Sequence, residues 1–280
     1  MKLLPAGLSG RLKNVICDVL PLAVLILGLF ICCASCSSLK AGRSREAAEA
    51  PEAVAGVEAR TLMEALTRQN ASLKSFKGLG KAKVRQKGRL KIDERVAWIG
   101  SEGNKLSIAL MISGFPAVKI TSDGKWFYYY EAGQGKPIYK KIPATKASLK
   151  HIISIPIQAA DIIDLLAGRV PLRGYDSLAL YKLDSGRGYI LALKKWWWGI
   201  VEKIHLDETK REVRSVEYYN RIGSLIYRAR FEEMQMVNGY RVPARLGISN
   251  GDDTDFQLDV YRYATDVPVT ASMFVLKPPN

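Results

Sequence analysis

The chain has 280 residues, of which 48% are hydrophobic, 9% aromatic and 25% charged. This mixture excludes a disordered chain, which needs fewer apolar and aromatic residues, and it excludes a protein with several membrane spans, because the sequence contains only one long uncharged stretch. Lys and Arg outnumber Asp and Glu by 42 to 27. The excess favours anionic partners such as lipid headgroups, acidic proteins or nucleic acid. We expect one large β domain, although the length also allows two small ones.

The first 35 residues predict an export signal. Lys2, Arg11 and Lys13 precede an apolar run from Val19 to Cys33, and small polar residues follow, which is the order typical of a secretory signal. The run is short for a membrane span, but a plain signal peptide or a spanning anchor with cysteines as small hydrophobic residues is the alternative interpretation. All four cysteines lie in the first 36 residues, so the rest of the chain can form neither a disulfide nor a thiolate metal cluster.

The segment after the apolar run resembles the signal of bacterial lipoproteins. Cys36 follows the small residues Ala34 and Ser35, as the acylated cysteine of such signals does. The resemblance implies that residues 1–35 are removed and that Cys36 carries the lipid anchor, with acyl chains such as palmitate. In lipoproteins of this kind an Asp after the anchor is the usual inner-membrane retention signal, and here Ser37 follows it. The resemblance therefore implies an outer-membrane location, facing the periplasm.

Two further segments follow the predicted anchor. Residues 36–57 lack aromatic side chains and are rich in Ala, Glu, Arg and Ser, which predicts a flexible or partly helical tether. Residues 58–280 are predicted to form the folded domain. This domain begins with a short amphipathic helix, indicated by Leu62, Met63 and Leu66 at helical spacing. We expect the helix to cover part of a sheet.

Alternating hydrophobic residues predict strands through most of the domain. Leu106, Ile108 and Leu110 point to one side of a strand, and the same period of two recurs towards the C-terminus. Asp123-Gly124 lies between two such runs and predicts a hairpin turn. Residues 149–172 instead have helical spacing and predict short apolar helices. The side chains assigned to these lid or cavity helices are Ile152, Ile155, Ile162, Ile163, Leu165 and Leu166.

The arrangement of these segments predicts the fold class. Helices do not alternate with strands, which argues against a parallel α/β sheet. We therefore expect a mainly β (α+β) fold, in which a curved antiparallel sheet has its concave face partly filled by the short helices.

The order of anchor, helix, hairpins, apolar helices and further strands resembles the LolB family of outer-membrane lipoprotein receptors and the wider class of LolA/LolB-like lipoprotein carriers. The similarity in layout covers Leu73 to the C-terminus, and the motifs that carry it are Ile155-Pro156-Ile157 and Ile162-Ile163-Asp164-Leu165-Leu166-Ala167-Gly168. The resemblance implies an unclosed β-barrel with helices at its mouth and an apolar cavity for acyl chains. It also implies that the protein receives acylated lipoproteins or another amphiphile, from a periplasmic LolA-like carrier, and helps to localise them. We expect a monomer.

The rival hypothesis is a structural or assembly-factor lipoprotein that uses the same fold to bind protein partners without lipid transfer. The two hypotheses differ in the cavity. A carrier needs a large apolar pocket that can open, whereas a scaffold can fill the same space with side chains.

In the receptor family, a loop between strands carries an exposed apolar residue that helps to deliver lipoproteins into the membrane. The matching loop here is Ser113-Gly114-Phe115-Pro116. Gly114 and Pro116 favour a turn, which would place Phe115 at or near its tip as a membrane-facing residue. The alternative is that Phe115 folds back onto the sheet.

Three consecutive tryptophans, Trp196, Trp197 and Trp198, follow Lys194 and Lys195. If the tryptophans continue a strand, at least one indole is exposed, faces the cavity or lies at a membrane surface. A cluster of Lys and Trp suits contact with lipid or headgroups. The alternative is that two indoles fill the core and the third covers a neighbouring strand.

Motifs of catalysis are not found. The two histidines, His151 and His205, lie in separate segments, and HExxH, GxSxG, a P-loop and a CxxC after residue 36 are absent from the sequence. We therefore expect no catalytic residues, no metal and no cofactor. Asp161 and Asp164 could pair as acid and base, but roles as helix caps or on a solvated face are commoner.

Alternating basic residues predict a positively charged stripe along one strand face: Lys81, Lys83, Arg85, Lys87, Arg89 and Lys91. Such a stripe could bind nucleic acid. An exported, membrane-tethered domain meets anionic lipid instead, so we expect no nucleic-acid partner. We interpret the stripe as a solvated outer face that docks onto headgroups or an acidic carrier protein.

Overall fold

The computed structural model describes residues 48–49, 52–133, 136–183, 187–251 and 253–279. The predicted signal peptide, Cys36 and most of the predicted tether lie outside these residues. One compact unit, Ala47–Asn280, contains every described element. Within the described ranges, no helix has both the length and the apolar character needed to cross a membrane.

Fourteen described strands form one antiparallel sheet. Their bounds are β1 (Ala48–Glu49), β2 (Ser75–Gln86), β3 (Arg89–Ser101), β4 (Lys105–Ile112), β5 (Phe115–Asp123), β6 (Trp126–Glu131), β7 (Ile138–Pro143), β8 (Ser177–Lys182), β9 (Tyr189–Lys195), β10 (Gly199–Leu206), β11 (Val213–Tyr219), β12 (Leu225–Val237), β13 (Tyr240–Ser249) and β14 (Thr254–Thr265). The order across the sheet is β1-β8-β9-β10-β11-β12-β13-β14-β2-β3-β4-β5-β6-β7.

The sheet consists of two meanders, β2–β7 and β8–β14, joined where β14 pairs with β2. Because β7 and β8 lie near opposite edges, the chain between them has to cross one face of the sheet. This crossing contains α2 (Lys150–Ile153), α3 (Ala159–Leu166) and a 3₁₀ turn at Ala144–Lys146. A second 3₁₀ turn, Ala271–Phe274, lies near the C-terminus. The predicted fold class, an unclosed and curved antiparallel sheet with few helices, is confirmed.

The N-terminal helix α1 (Glu52–Arg68) packs against β8 and buries Met63 and Leu66. The helix begins inside the segment that the sequence predicts to be a tether. Strand β1 also lies in that segment, and it pairs with β8 of the folded domain. After the helix, Asn70 takes a φ of 53°, and its Nδ2 donates hydrogen bonds to the carbonyls of Ala167 (2.8 Å) and Arg241 (2.7 Å). Asn70 thereby ties the end of α1 to the end of α3 and to β13.

The strands bury alternate side chains, as the period of two predicts. In β2, for example, Ala82 and Val84 are buried while their neighbours along the strand are more exposed. Gly78 of the same strand allows Trp98 of β3 to lie against the backbone, because a Cβ at residue 78 would come within 2.2 Å of the indole ring. Trp98 is only 2% exposed as a result of this packing and that of the surrounding core.

The hairpin predicted at Asp123-Gly124 joins β5 to β6. The carboxylate of Asp123 accepts the backbone N–H groups of Lys125 (2.8 Å) and Trp126 (2.6 Å), and Gly124 has a φ of 91°. The side chain therefore replaces backbone hydrogen bonds that the sharp turn cannot make.

Candidate functional site

An apolar cavity lies between the sheet and the two crossing helices. It contains about 790 Å³ of atom-free space, counted with the part that opens to solvent. The lining side chains come from β2–β5, β13, β14 and the α2 and α3 segments: Ala82, Val84, Ile92, Val96, Trp98, Ile108, Leu110, Val118, Ile120, Leu149, Ile152, Ile153, Ile162, Leu166, Leu246, Ile248, Phe256 and Leu258. Trp98 supplies the one polar side-chain atom of this wall, so the cavity offers no partner to a charged ligand.

Three of the six side chains that the sequence assigns to lid or cavity helices line the cavity, namely Ile152, Ile162 and Leu166. The other three, Ile155, Ile163 and Leu165, are buried but do not line it. Leu149 and Ile153 line the cavity as well. The spacing of apolar residues shows that a helix is buried but does not show which neighbour each side meets, since these helices are apolar on more than one side.

The side of α3 that faces away from the cavity carries a buried ion pair. Asp161 is 2% exposed, and its two oxygens accept hydrogen bonds from Nη1 (2.8 Å) and Nη2 (2.5 Å) of Arg173. The hydroxyl of Tyr227 donates a third bond to Asp161 (2.8 Å). Asp164 instead pairs with Arg169 at 3.0 Å. The hypotheses that Asp161 is a cap or solvated-face residue, or acts with Asp164 as an acid–base pair, are therefore wrong.

Glu202 extends this buried polar group. Its side chain is fully buried, and one carboxyl oxygen accepts the main-chain N–H of Arg173 at 2.9 Å. Burial raises the pKa of Glu202 to about 8, so the neutral form prevails at pH 7. The Arg173 guanidinium carbon lies 4.6 Å from the centre of the Tyr218 ring. The Tyr218 hydroxyl donates a hydrogen bond to the Pro171 carbonyl. We call Asp161, Arg173, Glu202, Tyr218 and Tyr227 the Asp161 cluster.

A sequence signal for the Asp161 cluster does exist. An Asp in an otherwise apolar helical segment favours a cationic partner when it is buried, and Arg173 follows Asp161 by twelve residues. Glu202 and Tyr227 carry no such signal, since each lies in a strand of ordinary composition.

The two crossing helices are held in different ways. In α3, the Leu166 carbonyl accepts the hydroxyl of Tyr263 at 2.8 Å, in addition to the ion pairs of Asp161 and Asp164. The four-residue helix α2 has no side-chain N-cap and ends at Ser154 with a φ of 58°. The side chains of α2 that line the cavity, Ile152 and Ile153, are both apolar. Side-chain polar bonds thus hold α3 in place. The polar bonds described at α2 are local: the Ser148 hydroxyl accepts the Lys150 N–H at 3.2 Å, and the Leu149 N–H donates to the Ile157 carbonyl at 3.0 Å.

The loop with the predicted membrane-facing residue is a tight turn between β4 and β5. Ser113 and Gly114 have φ values of 51° and 86°, and Phe115 pairs with Ile112 across the turn. Phe115 is 76% exposed, so the alternative that it folds back onto the sheet is wrong. Pro116 follows in β5, where it pairs with Met111 beside a register shift. Delivery of lipoproteins by this loop stays a prediction.

The turns of the sheet alternate between its two ends, and one end brings the Phe115 turn close to the cavity. We call this end the Phe115 rim; it carries the β2–β3, β4–β5, β9–β10, β11–β12 and β13–β14 turns. Lining residues come within two or three positions of it, as Val84, Leu110 and Val118 do in their strands. The exposed Phe115 side chain and the cavity therefore lie at the same end of the sheet.

The three tryptophans form the β9–β10 turn. Trp196, Trp197 and Trp198 are 81%, 87% and 40% exposed. They do not continue a strand, and the alternative that two of them fill the core is wrong. Their turn belongs to the Phe115 rim and not to the cavity wall. Contact of these indoles, and of Lys194 and Lys195, with headgroups stays a prediction.

The basic stripe differs from its predicted form, because it runs along β2, around the β2–β3 turn and into β3. Lys81 pairs with Asp93 at 2.9 Å and Lys83 with Asp259 at 3.2 Å, so these two charges are neutralised locally. The remaining members are exposed near the Phe115 rim: Arg85, Lys87, Arg89 and Lys91. The described residues hold no group of three His, Cys, Asp or Glu side chains suited to a metal ion.

Comparison with known proteins connects this architecture to a fold class. No protein-family model matches the chain, and no curated protein matches it. A DUF1329 family protein from Desulfovibrio piger is similar in structure, with a TM-score of 0.51 and 9% identity over 79% of this chain and 97% of that one. A LolA superfamily protein from Nitrosomonas europaea gives a TM-score of 0.50 and 14% identity, over 78% of this chain and 97% of that one. The chain therefore has a LolA-like fold, whereas the finer assignment to the LolB family stays a prediction.

Proposed function

We propose that the protein binds the acyl chains of lipoproteins, or of another amphiphile, in its apolar cavity and helps to localise them to the outer membrane. The observation that carries this proposal is the cavity itself, about 790 Å³ of space with an apolar wall in a chain of LolA-like fold. Each methylene group that leaves water contributes about 0.8 kcal/mol. Several methylenes in such a cavity supply enough free energy to hold a chain in transit.

The open volume favours this carrier function over the scaffold hypothesis. Protein interiors are normally packed to the density of organic crystals. A scaffold gains stability when side chains such as Phe or Leu fill its centre, and the buried side chains of β9–β12 are an example of such filling in this chain. An apolar volume beside them that side chains do not fill supports a binding site for an apolar ligand.

We expect α2, and not α3, to move when a ligand enters the cavity. Displacement of α3 breaks the buried pair of Asp161 and Arg173 and leaves a charge without a partner. Displacement of α2 exchanges apolar contacts of Ile152 and Ile153 for apolar contacts with an acyl chain. Hydrophobic contacts have no preferred direction, so this exchange costs little. We assign α2 as the movable lid and α3 as a fixed wall.

Delivery uses the Phe115 turn, whose exposed ring enters the membrane surface while the neighbouring cavity releases its ligand. The predicted anchor at Cys36 and the predicted tether keep the domain at the periplasmic face of the outer membrane. A periplasmic LolA-like carrier is the donor. The process consists of binding, transfer and release, without covalent chemistry.

A transfer assay tests the proposal. Vesicles that contain the full chain are mixed with an acylated lipoprotein held by a periplasmic carrier, and the lipoprotein in the vesicle fraction is measured over time. Ile108→Trp fills the cavity and is expected to reduce transfer by tenfold or more. Arg95→Trp is the matched control, because Arg95 is exposed on the opposite face of the neighbouring strand β3.

Circular dichroism on both variants establishes that they fold. Equal transfer by wild type and Ile108→Trp would contradict the proposed use of the cavity. Absence of transfer by the wild type, together with no uptake of a fluorescent fatty acid, would favour the scaffold hypothesis instead.

A further inference from the structure

Two neighbouring turns of the Phe115 rim form one exposed surface. The β9–β10 turn holds the three tryptophans, and the β11–β12 turn holds Arg221 and Ile222. Since β10 pairs with β11, the two turns lie side by side. They are in contact, because the Arg221 guanidinium lies over the Trp198 ring at 4.3 Å from its centre. We call Trp196, Trp197, Trp198, Arg221 and Ile222 the Trp surface.

The Trp surface exposes large apolar side chains to an unusual degree. Trp196 and Trp197 are 81% and 87% exposed, and Ile222 is 85% exposed. Single exposed hydrophobic residues are common on soluble proteins, but a contiguous group at the tips of adjacent turns is typical of a binding surface. The surface lies outside the cavity, so ligand binding in the cavity does not account for it.

The exposed conformation is held by polar contacts. The Asp176 carboxylate accepts the main-chain N–H of Trp196 at 2.8 Å, and the Lys195 carbonyl accepts that of Trp198 at 3.2 Å. Gly199 completes the turn with a φ of 70°, a conformation that is strained for other residues. In the β11–β12 turn, the Asn220 side chain accepts the main-chain N–H of Ile222 at 3.0 Å. The indoles are thus presented by a preformed scaffold.

The charges beside these apolar side chains favour an anionic partner. Arg221 lies within the surface, Lys195 flanks it, and Lys194 stacks over the ring of Tyr181 at 5.3 Å. One acidic group, Asp176, lies 4.0 Å from the Lys195 ammonium. Indoles with Lys and Arg are the combination that suits the boundary between lipid headgroups and acyl chains, because each has an apolar body and a polar end. A flat anionic bilayer accommodates both parts at once.

The same rim carries further groups of this kind. Phe115 is exposed on the β4–β5 turn, and the free part of the basic stripe surrounds the β2–β3 turn with Arg85, Lys87 and Arg89. The strand order therefore places several exposed apolar side chains and several basic side chains at the same end of the sheet. Cations near an anionic surface strengthen the attraction to it.

We propose that the Trp surface docks onto an anionic phospholipid bilayer, with the indoles of Trp196 and Trp197 and the side chain of Ile222 inserted at headgroup level. Docking at this surface would orient the Phe115 rim towards the membrane. The inference is independent of the proposed cargo, since a scaffold lipoprotein with an occupied cavity would dock in the same way.

Quenching of tryptophan fluorescence by brominated lipids tests this inference in the full chain. The protein is reconstituted in vesicles of phosphatidylglycerol and phosphatidylethanolamine whose acyl chains carry bromine near the headgroup. We expect quenching of the wild type, and a decrease of roughly twofold or more in the quenched fraction for the double variant Trp196→Ala/Trp197→Ala. Trp126→Phe is the control, because Trp126 begins β6 at the opposite end of the sheet; the fluorescence intensity that this variant loses to quenching should equal that of the wild type.

Charge is tested in the same assay. Arg221→Glu, or vesicles of phosphatidylcholine alone, should reduce the quenching, since both remove the electrostatic attraction. Quenching of the double variant equal to that of the wild type would overturn the proposal, and so would a wild type that anionic brominated vesicles do not quench. The assay needs no lipoprotein cargo, so its failure is distinguishable from failure of lipid transfer.

Discussion

Two regions of the sheet treat its concave face differently. In the first, the inward side chains of β2–β5, β13 and β14 border a cavity whose atom-free space, counted with the part that opens to solvent, is about 790 Å³. In the second, the Asp161 cluster and buried residues of β9–β12 fill the interior. The helix α3 separates the two, with Ile162 and Leu166 towards the cavity and Asp161 towards the cluster. A fixed wall on one side allows an unfilled volume on the other.

This difference explains how the protein can keep an apolar pocket that side chains do not fill. The cavity forfeits packing energy, and the interior would close if its walls were free to move. Because the Asp161 cluster holds α3 by directional bonds, the wall keeps its position. We propose that the remaining freedom lies in α2, the lid assigned above.

The largest expected effect is on the Asp161 cluster. Asp161→Asn removes the buried carboxylate with which Arg173, whose side chain is 32% exposed, pairs, so we expect the free energy of unfolding to fall by about 3 kcal/mol. Asp164→Asn, the control on the same helix, should cost at most about 1 kcal/mol because that pair is more exposed. Urea denaturation measures both. Equal losses for the two variants would show that the cluster does not anchor α3 more firmly than a surface pair.

The next largest effect is expected from truncation of apolar side chains, which should cost more free energy of unfolding in the filled region than at the cavity. Leu193 is fully buried in the filled region, so Leu193→Ala is expected to lower the free energy of unfolding by about 2–5 kcal/mol. Ile108→Ala removes a side chain that already borders open space, and we expect a loss of only about 1 kcal/mol. Urea denaturation of the two variants gives the comparison. A larger loss at Ile108 than at Leu193 would mean that the cavity is closed and tightly packed in solution.

Glu202 makes the filled region sensitive to pH. Its pKa rises from the ordinary 4.5 to about 8 on folding, because burial disfavours the carboxylate. The folded state therefore binds more protons than the unfolded state between these values, and the free energy of unfolding falls as the pH rises from about 4.5 to 8. Glu202→Gln does not titrate in this range and should gain stability relative to the wild type across it, by up to about 5 kcal/mol, because each pH unit between the two values contributes about 1.4 kcal/mol. Thermal unfolding at several pH values measures the gain; a constant difference from pH 5 to 9 would argue against a raised pKa.

The smallest effect on stability, with a large effect on function, is expected at Phe115. Phe115→Glu changes an exposed side chain, so the free energy of unfolding should shift by less than about 0.5 kcal/mol. Delivery of lipoprotein into vesicles should nevertheless be lost, because a carboxylate resists entry into the bilayer. Met236→Glu is the control, since Met236 is 66% exposed and lies near the opposite end of the sheet. Undiminished delivery by Phe115→Glu would remove this turn from the mechanism.

The sequence was sufficient to predict the regular part of the fold. Alternation of hydrophobic residues predicts the strands, Asp123-Gly124 predicts its hairpin, and the helical spacing around Ile162 predicts α3. Such local patterns depend on the chain's own geometry, which is why they can be read without knowledge of the neighbours.

Features that depend on contacts distant in sequence were not predicted. The described partners of Asp161, Arg173 and Tyr227, come from two other segments. Because α3 has more than one apolar side, periodicity could not separate cavity-lining Ile162 from core-filling Leu165. For the three tryptophans the sequence left the choice between a continued strand and a turn open, because aromatic residues are ordinary in strands. The turn that exposes them depends on Gly199 and on a hydrogen bond to Asp176.

Photo-crosslinking in living cells tests the central claim most directly. A photo-crosslinking amino acid replaces Ile108 in the cavity wall or, as the control, Arg95 on the outer face, and bacteria that produce the full chain are fed radiolabelled palmitate. We expect illumination to attach labelled acylated material to the chain with the probe at residue 108 and not at residue 95. Equal labelling at both positions, or none at residue 108, would contradict the claim that the cavity is a binding site for acyl chains.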